Sequence, residues 1–139
     1  MEINGLKLPE YYQELVEKLG WDSFKEVVKK AIVNVSTSRY KDEYRVLTLE
    51  GMRVYTEELR GISKSDVAKY YGLQSSNGSD TIDIDHSIII AVNDDEDAIC
   101  LNYERDTNNS EVKEIFSLPK GHCQWVVIAS NFEELLDPK

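Results

Sequence analysis

The chain has 139 residues, of which 41% are hydrophobic and 30% are charged, a balance that predicts one folded domain over residues 1–139 rather than a disordered chain. Its 26 acidic residues against 16 Lys and Arg give a formal charge of −10. This charge argues against direct binding to DNA or RNA, because such proteins neutralise phosphates with basic side chains. Two interpretations of the charge stay open: it attracts a basic partner, or it only keeps the protein soluble.

Hydropathy and cysteine content predict where the protein is located and whether its thiols are reduced. No apolar run approaches the roughly 18 residues of a bilayer-spanning helix, and the N-terminus lacks a basic segment followed by an apolar one. We therefore expect a cytoplasmic protein without a membrane segment. The two cysteines, Cys100 and Cys123, are too few for a disulfide framework, and we expect them to be reduced and buried.

Two amphipathic helices are predicted near the N-terminus. Pro9 suits the start of the first and Gly20 its end. The second is predicted to begin at Ser23, which has capping-box spacing to Glu26, and its apolar residues repeat at three and four positions. Residues 36–42 predict a loop.

The middle of the chain is less regular. Residues 43–55 predict two short strands around a turn at Glu50 and Gly51, because β-forming residues flank that pair. Thr56 is predicted to cap a helical turn that ends near Gly61. A further helix is predicted from Ser63 to Gly72, followed by a loop over residues 74–80.

The C-terminal half is predicted to be mainly strand. Residues 87–93, "SIIIAVN", form a β-branched run typical of a central strand, and strand character resumes at residues 98–104 and 112–118. Ser130, with Glu133 in capping-box spacing, predicts a last helix with Phe132 on its apolar face. The order of elements predicts an α+β fold.

Four consecutive acids, Asp94, Asp95, Glu96 and Asp97, interrupt two of these strands. A calcium loop over residues 93–104 would require glycine at its central position, where Ala98 stands, and would remove apolar residues from the core. Catalytic carboxylates need burial or a neighbour that separates their pKa values, whereas acids at a turn should be solvated. A solvated hairpin turn is the favoured interpretation.

Other catalytic or metal-binding patterns are weak. Zinc needs four ligands in spaced groups, and His86, His122 and Cys123 do not supply them. Cys100 lies in an apolar strand, where a thiol is usually inert. No phosphate-binding loop or hydrolase motif is present. We expect no enzyme activity, cofactor or metal. The least favoured alternative is a metal-dependent enzyme that uses Asp83, Asp85 and the acidic turn.

Several motifs in order resemble the SUKH superfamily, which includes fungal cell-wall-synthesis regulators and many bacterial immunity proteins. "GLKLPEYYQEL" is similar to the family's Leu-Pro-x-x-Tyr helix. "AICLNY" and "QWVVIASNFEELL" are similar to its later strand, Trp-containing segment and final helix, although Asn102 replaces the family's Asp. The matching positions are Leu8, Pro9, Tyr12, Ile99 to Tyr103, Val112, Trp125, Ile128, Ala129, Phe132, Glu133 and Leu136.

This resemblance implies a SUKH-like α+β fold, with N-terminal helices, a bent and mainly antiparallel sheet and a C-terminal helix. It also implies a non-enzymatic protein-binding module: either an immunity protein that neutralises a cognate toxin such as a basic nuclease, or a scaffold or regulatory module of cell-envelope assembly. The candidate partner-binding residues are Asp94, Asp95, Glu96, Asp97, Tyr70 and Tyr71. Core packing is favoured over partner contact for Trp21, Trp125, Tyr103 and Phe132.

Overall fold

A computed structural model describes residues 2–61, 86–95, 97–103, 110–117 and 123–137. Four helices and seven strands lie in these ranges, together with a 3-10 helix at Lys41–Glu43. The helices are α1 (Glu10–Leu19), α2 (Trp21–Val35), α3 (Leu49–Arg60) and α4 (Phe132–Leu136). The strands are β1 (Glu2–Ile3), β2 (Leu6–Lys7), β3 (Arg45–Val46), β4 (Ser87–Val92), β5 (Ala98–Asn102), β6 (Glu111–Ser117) and β7 (Cys123–Ala129).

The strands β3 to β7 form one antiparallel sheet in the order β3-β4-β5-β6-β7, and β1 with β2 forms a separate hairpin. With helices before the sheet and α4 after it, the predicted α+β class is confirmed. The register shifts between Ile89 and Ala91 in β4, and again where Val112 and Lys113 face β7. Such bulges bend a strand locally.

The first two helices lie close to their predicted bounds. Gly20 adopts a positive φ of 78° between α1 and α2, a conformation that glycine accepts without steric cost. The second helix begins at Trp21, and its N-terminal cap makes no side-chain hydrogen bond. The predicted capping role of Ser23 is therefore wrong, because this residue already lies inside the first turn.

The predicted pair of short strands in residues 43–55 is also wrong in its second half. Only Arg45–Val46 forms a strand, whereas residues 49–60 form α3. Leu49, Met52, Thr56 and Leu59 follow a helical repeat, and the last three are buried. The β-forming Val54 and Tyr55 lie on the exposed side, so local strand propensity gives way to tertiary packing.

Thr48, and not Thr56, caps α3, since its Oγ1 accepts a hydrogen bond from the Gly51 amide at 3.1 Å. We expect Thr48→Ala to lower the free energy of unfolding by about 1 kcal/mol. Urea denaturation would measure this loss. Ser23→Ala is the matched control, because Ser23 caps nothing and its removal should change stability by less than about 0.5 kcal/mol. Equal losses in both variants would contradict the assignment.

The main core lies between α1, α2, α4 and one face of the sheet. Its centre is an aromatic cluster in which the rings of Tyr12 and Phe24 are 4.7 Å apart and those of Tyr12 and Phe132 are 4.9 Å apart. Trp125, by contrast, packs on the opposite face of the sheet, where the Lys113 ammonium lies 4.1 Å from the centre of its ring. Of the four aromatics expected in the core, Trp125, Tyr103 and Phe132 are buried and Trp21 is partly buried.

The C-terminal helix is capped one residue later than predicted. Asn131 accepts a hydrogen bond from the Glu134 amide at 2.8 Å, and Glu134 accepts one from the Ser130 amide at 3.2 Å. The capping pair is thus Asn131 with Glu134, shifted from Ser130 with Glu133. Within the described ranges, none of the helices combines the length and apolar composition that crossing a bilayer requires. The predicted helix from Ser63 to Gly72 lies outside the described residues.

Candidate protein-binding surface

The turn between β4 and β5 is organised by Asn93. Its side-chain oxygen accepts hydrogen bonds from the amides of Asp95 and Asp97, both at 3.0 Å. Its side-chain nitrogen donates to the hydroxyl of Ser38 at 3.2 Å and to the carbonyl of Tyr40 at 3.4 Å. One amide group therefore fixes the turn and joins it to the chain that follows α2.

Asp97 is not the solvated turn acid that the sequence predicted. The residue is only 3% exposed, and its carboxylate accepts hydrogen bonds from Ser38 at 2.6 Å and from the Asn93 amide group at 3.3 Å. Burial of a carboxylate is tolerated here because neighbouring donors replace water. Asp97 therefore supports the turn from inside, and a partner could not reach it directly.

Asp94 and Asp95 are exposed at the tip of the turn and lie beside Glu43 of the 3-10 helix. We call Glu43, Asp94 and Asp95 the acidic surface. Desolvation, followed by the carboxylates of Asp94 and Asp95, raises the pKa of Glu43. The negative charges of the two aspartates and a hydrogen bond with Asp94 disfavour ionisation of Glu43, whereas Arg45 favours it.

Arg45 and two tyrosines border the acidic surface. Arg45 forms an exposed ion pair with Asp94 and also interacts with Tyr55 of α3. Tyr55 and Tyr40 are each 37% exposed, whereas most large hydrophobic side chains of the described residues are more deeply buried. Exposed tyrosines beside charges are typical of protein-binding surfaces, because the ring supplies apolar area and the hydroxyl a hydrogen bond.

The predicted site residues thus divide into three groups. Asp94 and Asp95 share one exposed surface, Asp97 lies beneath it, and Glu96, Tyr70 and Tyr71 lie outside the described residues. Sequence reasoning did not select Tyr40, Glu43, Arg45 or Tyr55, since these residues reach the turn only through pairing of β3 with β4 and packing of α3 on β4. Their separation of about 40 to 55 residues from the turn leaves no local signal.

A second buried carboxylate, Glu114 of β6, lies behind this surface. It is 0% exposed; its Oε2 accepts hydrogen bonds from Ser36 at 2.5 Å and Tyr44 at 2.6 Å, and its Oε1 accepts one from the Thr37 amide at 3.3 Å. Burial raises the pKa of Glu114, the three donors lower it, and Asp97 raises it further; the net direction is upward. Sequence reasoning missed this network because its donors lie about 70 residues away along the chain.

The described residues do not assemble a metal or nucleophile site. Among them, no group of three or more His, Cys, Asp or Glu side chains is placed to hold a metal ion. Burial raises the pKa of the Cys100 thiol to about 12, so that thiol stays protonated and unreactive near neutral pH. His86 is exposed. The arrangement can present charge and aromatic rings to another protein.

The chain matches the model of a known protein family. The model of the SMI1/KNR4 family (SUKH-1) matches residues 2–137, nearly the whole chain. No curated protein and no solved structure matches. This match confirms the similarity to the SUKH superfamily that the sequence motifs indicated.

Proposed function

The chain belongs to the SMI1/KNR4 family (SUKH-1), and from this premise we propose that it is an immunity protein that binds and neutralises a basic protein toxin. Proteins of this family are generally non-catalytic binding modules. The proposed partner is a single cognate toxin, a nuclease being one suitable class, and the proposed location is the cytoplasm. The free thiol of Cys100 is compatible with that reducing compartment.

The acidic surface carries the proposal. Glu43 lies beside Asp94 and Asp95, with Arg45 as a basic neighbour, so this part of the molecule adds local negative charge to a chain of net charge −10. A nuclease binds phosphates with Lys and Arg. An acidic protein that covers those side chains both neutralises them and excludes the substrate, and the attraction speeds the encounter.

The rigidity of the turn supports the same function. Asn93 and Asp97 hold Asp94 and Asp95 in place before any partner arrives. A surface that is already ordered loses less conformational entropy on binding, and this increases affinity. Tyr40 and Tyr55 at the border are suited to fill pockets on the partner, where tyrosine is often a major contributor to affinity.

The partner is to be identified in the cell that makes this protein. The tagged chain would be purified from cultures grown with competing strains, and each protein recovered in stoichiometric amount would be expressed alone and together with it. We expect one basic protein that is toxic alone and harmless when co-expressed. Several envelope-associated partners without toxicity would instead favour a scaffold or regulatory module of cell-envelope assembly.

We expect reversal of the charge at Asp94 and Asp95 to slow association with that partner. Asp94→Lys with Asp95→Lys should lower the association rate constant by about 10-fold at low salt, because electrostatic steering is lost. Stopped-flow binding at several ionic strengths would measure this. Stability should change by no more than about 1 kcal/mol, since the ion pair with Arg45 and the contact with Glu43 that are lost are both exposed. Asp97 is left unchanged because its carboxylate supports the turn.

A matched control separates local charge from net charge. Glu14→Lys with Glu17→Lys changes two exposed acids on α1 and brings the formal charge from −10 to the same −6 as the test variant. Equal slowing in both double variants would remove the acidic surface from the interface and leave only a general effect of charge. Unchanged kinetics in both would contradict an electrostatically steered partner.

A further inference from the structure

The chain between α2 and β3 is fastened at both ends to one buried carboxylate. We call residues 36–44 the 36–44 segment; it carries Tyr40 and Glu43 of the binding surface. Glu114 accepts hydrogen bonds from Ser36 and from the Thr37 amide at its start and from Tyr44 at its end. One side chain of the five-stranded sheet therefore holds both ends of the 36–44 segment in place.

The interior of the segment is held by a second, linked set of bonds. The Ser38 amide donates to the Ser36 hydroxyl at 3.1 Å, and the Tyr40 amide donates to the Ser38 hydroxyl at 3.1 Å. The Ser38 hydroxyl in turn donates to Asp97. A continuous series of hydrogen bonds therefore links Glu114 to the β4–β5 turn. A change in the charge of Glu114 should alter the hydrogen bonds of the residues that support the acidic surface.

We propose that Glu114 is a pH-dependent latch of the binding surface, which holds the 36–44 segment closed while its carboxyl group is protonated and loosens the segment when that group ionises. This inference rests on the proposed function only for its biological meaning. The latch itself is a property of the isolated chain. It would make the shape of the acidic surface depend on the pH of the surroundings.

The direction of the switch follows from the surroundings of Glu114. Ile99 of β5 and Val126 of β7 flank it in the sheet, and the groups that face it from the segment and the turn are Tyr44 and Asp97. Lys113, next on β6, lies on the opposite face over Trp125. The three groups bonded to it, two hydroxyls and one amide, are uncharged, and either hydroxyl can rotate to accept the proton of the neutral carboxyl, so the closed segment keeps its bonds when Glu114 is protonated. They offset the loss of water only in part, so burial and Asp97 favour the neutral carboxyl.

The sign of the linkage is therefore fixed. Because the pKa of Glu114 is raised in the folded, closed state, this group contributes stability that is fully present below its ordinary pKa and is lost as pH rises through the raised value. Above that pH, exposure of the carboxylate to water becomes favourable, and the chain that covers it is the 36–44 segment. The closed segment should open more often at higher pH.

Two measurements on the isolated protein test the latch. Carbon-13 NMR of labelled glutamate carboxyl groups should show Glu114 titrating above the ordinary range. Amide hydrogen exchange, corrected for the intrinsic effect of pH, should show protection at Thr37, Ser38 and Tyr40 falling by about 10-fold per pH unit once pH exceeds the measured value.

Variants make the test specific. Glu114→Gln, a neutral side chain of the same shape, should keep the segment protected and remove the pH dependence. Tyr44→Phe should move the transition to higher pH, because the Tyr44 hydroxyl stabilises the ionised form. Glu111→Gln, on the same strand and partly exposed, is the matched control and should keep the normal pH dependence.

The outcomes are distinguishable from those of the proposed function. Ordinary titration of Glu114, protection that does not depend on pH in the unaltered protein, or the same dependence in Glu114→Gln would each overturn the latch. If Glu114→Gln fails to fold, two measurements still test the latch: the direction in which Tyr44→Phe shifts the pH of the transition, and the titration of Glu114 in the unaltered protein. No partner is present in any of these measurements, so failure to find a toxin would leave the latch standing, and the reverse holds equally.

Discussion

Replacing Phe132 with alanine is expected to lower the free energy of unfolding by about 3–5 kcal/mol. Phe132 is 2% exposed. Its ring lies 4.9 Å from that of Tyr12 and 6.4 Å from that of Phe24. Removal of the ring would leave a cavity among side chains of three helices and would abolish these aromatic contacts.

The position of Phe132 increases the cost. It is the first residue of α4, a helix of only five residues. Helices this short are unstable by themselves, so tertiary packing must hold α4 in place. Loss of the Phe132 contacts should therefore free the C-terminal helix as well as opening a cavity.

Urea denaturation followed by circular dichroism would measure the loss. Val54→Ala is the control, because Val54 is a large apolar residue that is 48% exposed, and its truncation should change stability by less than about 0.5 kcal/mol. A loss below about 1.5 kcal/mol in Phe132→Ala would indicate that the aromatic cluster can close around the gap, contrary to the packing described above.

Replacing Asn93 with alanine is expected to lower the free energy of unfolding by about 2–3 kcal/mol, because buried hydrogen-bonding groups lose their partners. The amides of Asp95 and Asp97 lose an acceptor, and the Asp97 carboxylate loses one of its donors. That carboxylate is buried, where an incompletely paired charge is costly. The alanine side chain can replace none of these bonds.

The functional consequence should exceed the loss of stability. Without Asn93, the turn should no longer hold Asp94 and Asp95 in one arrangement, and the link to the Tyr40 carbonyl would also be lost. Chemical denaturation gives the stability, and exchange of the Asp95 and Asp97 amides reports the order of the turn. Asp95→Asn is the control, because it removes a charge at the same turn while leaving the Asn93 bonds intact. Similar amide protection in Asn93→Ala and in the unaltered protein would refute this role for Asn93.

Several features of the fold could be predicted because their signals are local. The first helix, the β4–β5 hairpin and the acidic turn all follow from apolar periodicity and from turn-forming residues over short windows. For α3 the local signal is misleading in part: the β propensity of Val54 and Tyr55 predicts a strand in its first half, whereas a helical turn is predicted only from Thr56. The buried repeat through Met52, Thr56 and Leu59 is the better signal, since it reports contact with the sheet.

Strand β7 shows a similar limit. Its residues from Val126 to Ile128 form a β-branched run, but apolar runs of this length do not by themselves distinguish a strand from a buried helix. Pairing with β6 shows that this segment is a strand, because the register from Val112–Ala129 to Ser117–Cys123 gives the two strands an antiparallel ladder of backbone hydrogen bonds. That pairing depends on β6, so it cannot be predicted from the seven residues of β7 alone.

The sequence by itself determined the α+β class, the family and the acidic character of the chain, because composition, periodicity and ordered motifs act over short distances. Only the tertiary structure decided what each acid does. Asp94 and Asp95 are solvated, whereas Asp97 and Glu114 are buried and accept hydrogen bonds from Ser36, Ser38 and Tyr44, which lie 78, 59 and 70 residues away from their partners. The burial and partners of a carboxylate set its charge and its role, and both arise only when distant segments pack together.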